Sequence, residues 1–209
     1  RERSSAVAGG GAEGPRRAAF FSVRNPGDAA TLISDRYLTR PLFANLQQPK
    51  LQGEIPLKFE WDLSLAPSGE KAELARLLSG GDQTPALLFT ASHGMIFSSA
   101  PEQQQFREQG AVLCQRWTQG APILRDHYFA AEDLGDANLL GLVAMFFACF
   151  GVSTPKFDYF THPRATAKMQ IAPHSFISAL PNRMLRQGAL AVIGHVDRAW
   201  GHSFISPGD

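Results

Sequence analysis

The sequence predicts an α/β protein, a three-layer α-β-α sandwich built on a mostly parallel, doubly wound sheet. Three observations carry that expectation. Residues 86–95 (ALLFTASHGM) and 139–147 (LLGLVAMFF) are short, nearly continuous apolar runs, the form of strands covered on both faces in a parallel sheet. Both runs lead abruptly into glycine and polar residues, as a buried strand does where it meets a loop. Stretches with helical spacing alternate with such runs, and a βαβαβ order marks a doubly wound sheet.

The elements follow in order. Residues 1–17 (RERSSAVAGGGAEGPRR) are small, charged and glycine-rich and read as a flexible lead, with the folded domain over 18–209. Residues 18–23 (AAFFSV) are the first strand, and 24–28 (RNPGD) a turn with Asp28 placed to cap a helix. That helix is expected over 29–46, from the spacing of Leu32, Ile33, Tyr37, Leu38 and Leu42, broken near Pro41. Residues 47–56 are polar loop, and 57–65 (LKFEWDLSL) alternate with period two, as a half-buried strand does. A helix over 68–78, capped by Ser68 and ended by Gly80 and Gly81, leads to the strand that delivers His93. Next come a Gln-rich surface helix or loop at 98–109, an edge strand or hairpin arm at 111–117 that gives Cys114 a structural place, and a loop at 120–138. The strand that delivers Cys149 follows, then an irregular stretch over 155–171 and a helix over 173–186 with Pro181 inside it. A last buried strand at 189–196 (ALAVIGHV) brings His195, Asp197 and Trp200 to its carboxyl end.

Composition excludes several classes. With 20 Lys and Arg against 19 Asp and Glu, the formal charge of +1 is far from the basic footprint of a nucleic-acid binder. No run reaches the ~18 apolar residues of a membrane span. The 2 cysteines form no CxxC, which argues against a zinc or thioredoxin-type site, and no metal or cofactor is expected. A lone disulfide between Cys114 and Cys149 stays open, although the lack of a cysteine framework and of a signal peptide points to a reducing, cytoplasmic setting. The chain begins at Arg1 and stops shortly after a strand-like run, so it is expected to be a fragment of something longer.

Ligand sites in open α/β sheets lie outside the carboxyl ends of the strands. His93 and Cys149 each stand at such an end, and the fold alone brings them together. An imidazole next to a thiol supplies the thiolate that acts as nucleophile. Gly94 lets backbone N–H groups approach a carbonyl oxygen, and with the Cys149 amide it forms a candidate oxyanion hole. The non-catalytic alternative is a cysteine packed as a small hydrophobe, with His93 and His195 as packing histidines.

The stretches ALLFTASHGM, FFACFGVSTP and GALAVIGHVDRAW resemble the caspase-like cysteine peptidases, and most closely the bacterial CHAT subgroup. In that caspase-hemoglobinase-like fold one strand ends in His-Gly and a later one in Ala-Cys-x-Gly, and the resemblance spans residue 18 to the C-terminus. It implies a cysteine endopeptidase with His93 as general base, Cys149 as nucleophile and a thioester intermediate. It also implies a protein or peptide substrate and a sensor module or partner protein that switches the domain on, so that the domain alone turns over slowly. Arg16 and Arg17 are a candidate processing site. One departure separates the chain from true caspases: Phe147-Ala148-Cys149 stands where they carry Gln-Ala-Cys.

By fold analogy, Arg24 and Asp28, Asp158, and Asp197 with Trp200 line the substrate site from three loops. Carboxylates outnumber Arg24, which favours a substrate Lys or Arg; an inward Arg24 would favour an acidic residue instead. Two other readings compete. A glutamine-amidotransferase-like hydrolase would use Cys149 with His195, but its G-x-C-x-G elbow lacks the first glycine here, where Phe147 stands. A silent caspase-like scaffold would keep the fold without the chemistry.

Overall fold

The computed structural model describes residues 16–48, 61–81, 84–160 and 168–205. Its centre is a five-stranded sheet in which every neighbouring pair is parallel. The strands are β1 (Arg16–Ser22), β2 (Trp61–Leu65), β3 (Leu87–Ala91), β6 (Val143–Phe147) and β11 (Ala191–Gly194), in the spatial order β11-β6-β3-β1-β2. The chain therefore runs from β1 outward to β2, then returns to the other side of β1 for β3. That reversal between β1 and β3 is a topological switch point, where the connections leave in opposite directions and open a crevice. Between β3 and β6 lie two short strands, β4 (Val112–Leu113) and β5 (Tyr128–Phe129), paired as an antiparallel ribbon. Cys114 follows directly and is buried, in the structural place expected for it. After β6 come β7 (Ser153–Thr154), β8 (Phe157–Asp158), β9 (Met169–Gln170) and β10 (Phe176–Ile177), which pair as β7 with β10 and β8 with β9.

Alternation along the strands sends side chains to two faces. Ala18, Phe20, Phe89 and Ala91 meet Leu38, Leu42, Phe43 and Leu46 of the segment between β1 and β2. That segment is α1 (Ala29–Ser34), a π turn (Asp35–Thr39) and α2 (Arg40–Leu46), one helical path rather than a helix broken at Pro41. Pro41 has no N–H to give, and the wider turn before it is closed by the Arg40 amide on the Asp35 carbonyl. The Asp35 carboxylate pins the path to β1, accepting from the Ser22 hydroxyl at 2.6 Å and from Arg40 Nε at 2.7 Å. On the opposite face Ala19, Phe21, Leu88, Ala144 and Phe146 pack with α3 (Lys71–Leu77) and α5 (Ala179–Arg186). The helix α4 (Glu102–Glu108) lies between β3 and β4. Phe20 and Phe21 are at most 1% exposed, and each such ring stabilises the fold by about 1.5–3 kcal/mol.

Several expectations change. Arg16 and Arg17 belong to β1, not to the lead, because they pair in register with Trp61 and Asp62; residues 1–15 lie outside the described residues, as do 49–60, where the second strand was expected to start. Ser68 does not cap α3, since its hydroxyl accepts from the Glu70 amide one turn earlier. The helix with Pro181 is only eight residues long and unbroken, because Pro181 falls in its first turn, where an N–H has no carbonyl partner. The strand β6 is not covered on both faces. Met145 and its register partner Ile193 are both exposed, at 38% and 51%, although Phe147 further along β6 packs with the cluster on that face.

Candidate active site

The rim formed by the carboxyl ends of β1, β3 and β6 gathers Asp28, His93 and Cys149. His93 and Gly94 leave β3, and Cys149 leaves the neighbouring β6. Their backbones are in close contact: a Cβ on Gly94 would lie 1.7 Å from the Cys149 carbonyl oxygen. Glycine at position 94 is therefore required by the close approach of two backbone segments, which is a stronger demand than loop flexibility. Both side chains line one cavity of about 400 Å³, together with Ser92, Phe147, four residues of the α1 region and the loop after β11.

Asp28 sits at the other side of the switch point. It caps α1, its Oδ2 accepting the Thr31 amide at 3.0 Å. The same oxygen lies 2.8 Å from His93 Nε2. Burial pushes the Asp28 carboxyl upward, but hydrogen bonds from Thr31 and the charge of His93 outweigh it, and the group lies below the usual carboxylate range. Asp28 was expected to line the substrate site; it is instead bound to the imidazole and leaves Nδ1 as the remaining ring nitrogen. The pattern that signals this is the adjacency of β1 and β3 in a doubly wound sheet, combined with a carboxylate just after β1.

Cys149 is half-buried and carries a free thiol, as does Cys114. Its sulfur accepts the Ala199 amide at 3.3 Å and donates to the Ala199 carbonyl at 3.7 Å. Burial raises the Cys149 pKa, against the lowering effect of the Ala199 amide and of Arg198. The resting group is thus a thiol that needs a base. Phe150, the next residue, has φ +57° and is fully buried. A bulky side chain in that region costs roughly 1–2 kcal/mol, and here it is held by two hydrogen bonds, Phe150 N–H to the Asp197 carbonyl and Ser178 Oγ–H to the Phe150 carbonyl, both 2.8 Å. With the Phe150 amide committed, the Cys149 and Gly94 amides stay as the oxyanion candidates.

The remaining candidates scatter. Arg24 lies in a separate polar hollow with Ser22, Arg40 and Gln115, its guanidinium 3.7 Å from Asp35, and does not line the cavity of Cys149. Asp158 is buried and bound by Arg198 through two nitrogens; that guanidinium holds its carboxyl below the usual range. Asp197 accepts the Arg198 amide at 2.8 Å, and burial raises its pKa. Trp200 does line the cavity, and it meets Phe160 edge-on at 5.7 Å. Arg198, between the two, was not foreseen. His195 packs edge-on against Phe147 at 5.0 Å, and its buried Nδ1 has no hydrogen-bond partner among the described residues.

Fold and rim define a class: an α/β protein with a cysteine, a histidine and a carboxylate gathered at the switch point of a parallel sheet. Comparison with protein-family models, curated proteins and solved structures finds no match. Among the described residues no cluster of three or more His, Cys, Asp or Glu is placed to hold a metal ion, and no helix is long and apolar enough to cross a membrane.

Proposed function

We propose that the chain is a cysteine endopeptidase of the caspase-like, CHAT type. The observation that carries the reading is the 2.8 Å contact of His93 Nε2 with Asp28, made at the rim of a cavity that Cys149 also lines. In this mechanism Asp28 orients the imidazole and stabilises its charged form. His93 removes the Cys149 proton as the sulfur attacks a peptide carbonyl, and the oxyanion is met by the Cys149 and Gly94 amides. His93 then protonates the leaving amine, and water hydrolyses the thioester. In this reading the sulfur, held at rest against Ala199, is freed when a sensor module or partner protein switches the domain on in the cytoplasm.

The test is covalent labelling of the purified chain with a peptidyl acyloxymethyl ketone, read by intact mass. Labelling of Cys149 that is lost in His93→Ala and kept in His195→Ala is the expected result. Loss in His195→Ala alone would move the reading to the amidotransferase type. A Cys149 that reacts no faster than a free peptide thiol, with and without candidate activators, would leave the scaffold reading.

A further inference from the structure

We propose that the cavity beside Cys149 receives the substrate side chain next to the cleaved bond, and that this side chain is uncharged and apolar, of the size of Leu or Phe. The inference rests on the peptidase reading above and replaces the Lys or Arg preference that the count of carboxylates suggested. A cavity of about 400 Å³ suits one such side chain and its flanking backbone. Its apolar wall is Ala30 and Ile33 from α1, Phe147 from the end of β6, and Trp200 and Ile205 from the chain after β11.

The lining hydroxyls and the Arg198 guanidinium are engaged elsewhere. The Thr31 hydroxyl accepts the Asn25 amide at 3.0 Å and donates to the Asp28 carbonyl. The Ser34 hydroxyl donates to the Thr31 carbonyl at 3.1 Å, and that of Ser92 to the Leu113 carbonyl. Arg198 is bound to buried Asp158. Among the described residues no carboxylate lines the cavity, because Asp28 is turned to His93 and Asp158 to Arg198. A substrate ammonium there would be desolvated without a carboxylate partner, and a substrate carboxylate would find Arg198 already paired with Asp158, so either charge is disfavoured. An apolar side chain loses nothing and buries its surface against the wall.

Two measurements separate this inference from the reading beneath it. The first is the labelling rate of Cys149 with tripeptidyl acyloxymethyl ketones that differ only in the last residue: Leu, Ala, Lys or Asp. The thioether forms at the methylene carbon as the carboxylate leaves. The Leu reagent is expected to react about 10–100-fold faster than the Ala reagent, the range that burial of such a side chain supplies, and faster still than the Lys reagent. The second is binding of the matching peptide amides to Cys149→Ala, by calorimetry, which needs no chemistry. Ile33→Asp, which puts a carboxylate in the wall, is expected to shift both measurements toward Lys. Equal rates for all four reagents, or Lys or Asp as the fastest, would overturn the subsite while the peptidase stands. Selective binding of the Leu peptide with no labelling of Cys149, with and without candidate activators, would keep the subsite and overturn the peptidase. Neither labelling nor selective binding would overturn both.

Discussion

Replacing Asp28 by Asn separates two functions of one oxygen. Oδ2 accepts the Thr31 amide at 3.0 Å and faces His93 Nε2 at 2.8 Å. Asn caps a helix about as well as Asp, so its amide oxygen is expected to keep the Thr31 bond and to stay in front of the imidazole. What is lost is the charge. Hydrogen bonds to charged groups contribute roughly 1.5–3 kcal/mol and neutral ones roughly 0.5–1.5, a difference of about 1–1.5 kcal/mol. That difference converts to about a tenfold slower reaction of Cys149. The measurement is the second-order rate of labelling with the Leu reagent at pH 7, with the thermal midpoint followed alongside. The midpoint should hardly move. Asp28→Ala removes the cap as well, lowering stability by about 1 kcal/mol, and should slow labelling further than Asn does. Asp28→Asn labelling at the wild-type rate, with an unchanged pH profile, would refute the orienting role of Asp28.

Four further outcomes follow from the same geometry. Iodoacetamide should modify the native chain once, at Cys149, and twice after unfolding, because Cys114 is 1% exposed and burial pushes its pKa up to about 12; peptide mapping reads this directly. Gly94→Ala should destabilise by about 3 kcal/mol or more, since its Cβ would overlap the Cys149 carbonyl oxygen and backbone must move; urea midpoints measure it. Phe150→Gly should relieve roughly 1–2 kcal/mol of backbone strain but forfeit roughly 3–5 kcal/mol of buried ring, so a net loss of stability is expected, and a gain would contradict the strain. Asp28, Asp133 and Asp158 are each held below the ordinary value of 3.8, so their contribution is complete above that pH and is lost as pH falls through the lower folded values. Acid unfolding should therefore set in below about pH 4, and Asp158→Asn should flatten the acid limb while lowering stability at pH 7.

Much of the fold was legible along the chain. Short apolar runs ending in glycine and polar residues marked β3 and β6, although β6 begins only at Val143 and residues 139–142 before it are turn and loop, and the alternation of strand and helix patterns implied parallel order. His93 and Cys149 stood out because each is a reactive side chain at the end of such a run. Boundaries were less legible where local signals compete: Pro181 looks like an interior breaker until the helix start is seen to lie at Ala179, and Pro41 looks like a stop although a π turn carries the chain past it.

The sequence by itself determined the parallel α/β class and the two rim positions that bear the sulfur and the imidazole, because burial pattern and loop chemistry are local properties. Only the tertiary structure decided what each charged residue near that rim faces. Asp28 is bound to His93, Asp158 to Arg198, and Arg24 stands in another hollow. Pairing of charges depends on which strand ends are neighbours, and in a sheet whose order reverses between β1 and β3 that neighbourhood is not the order of the chain.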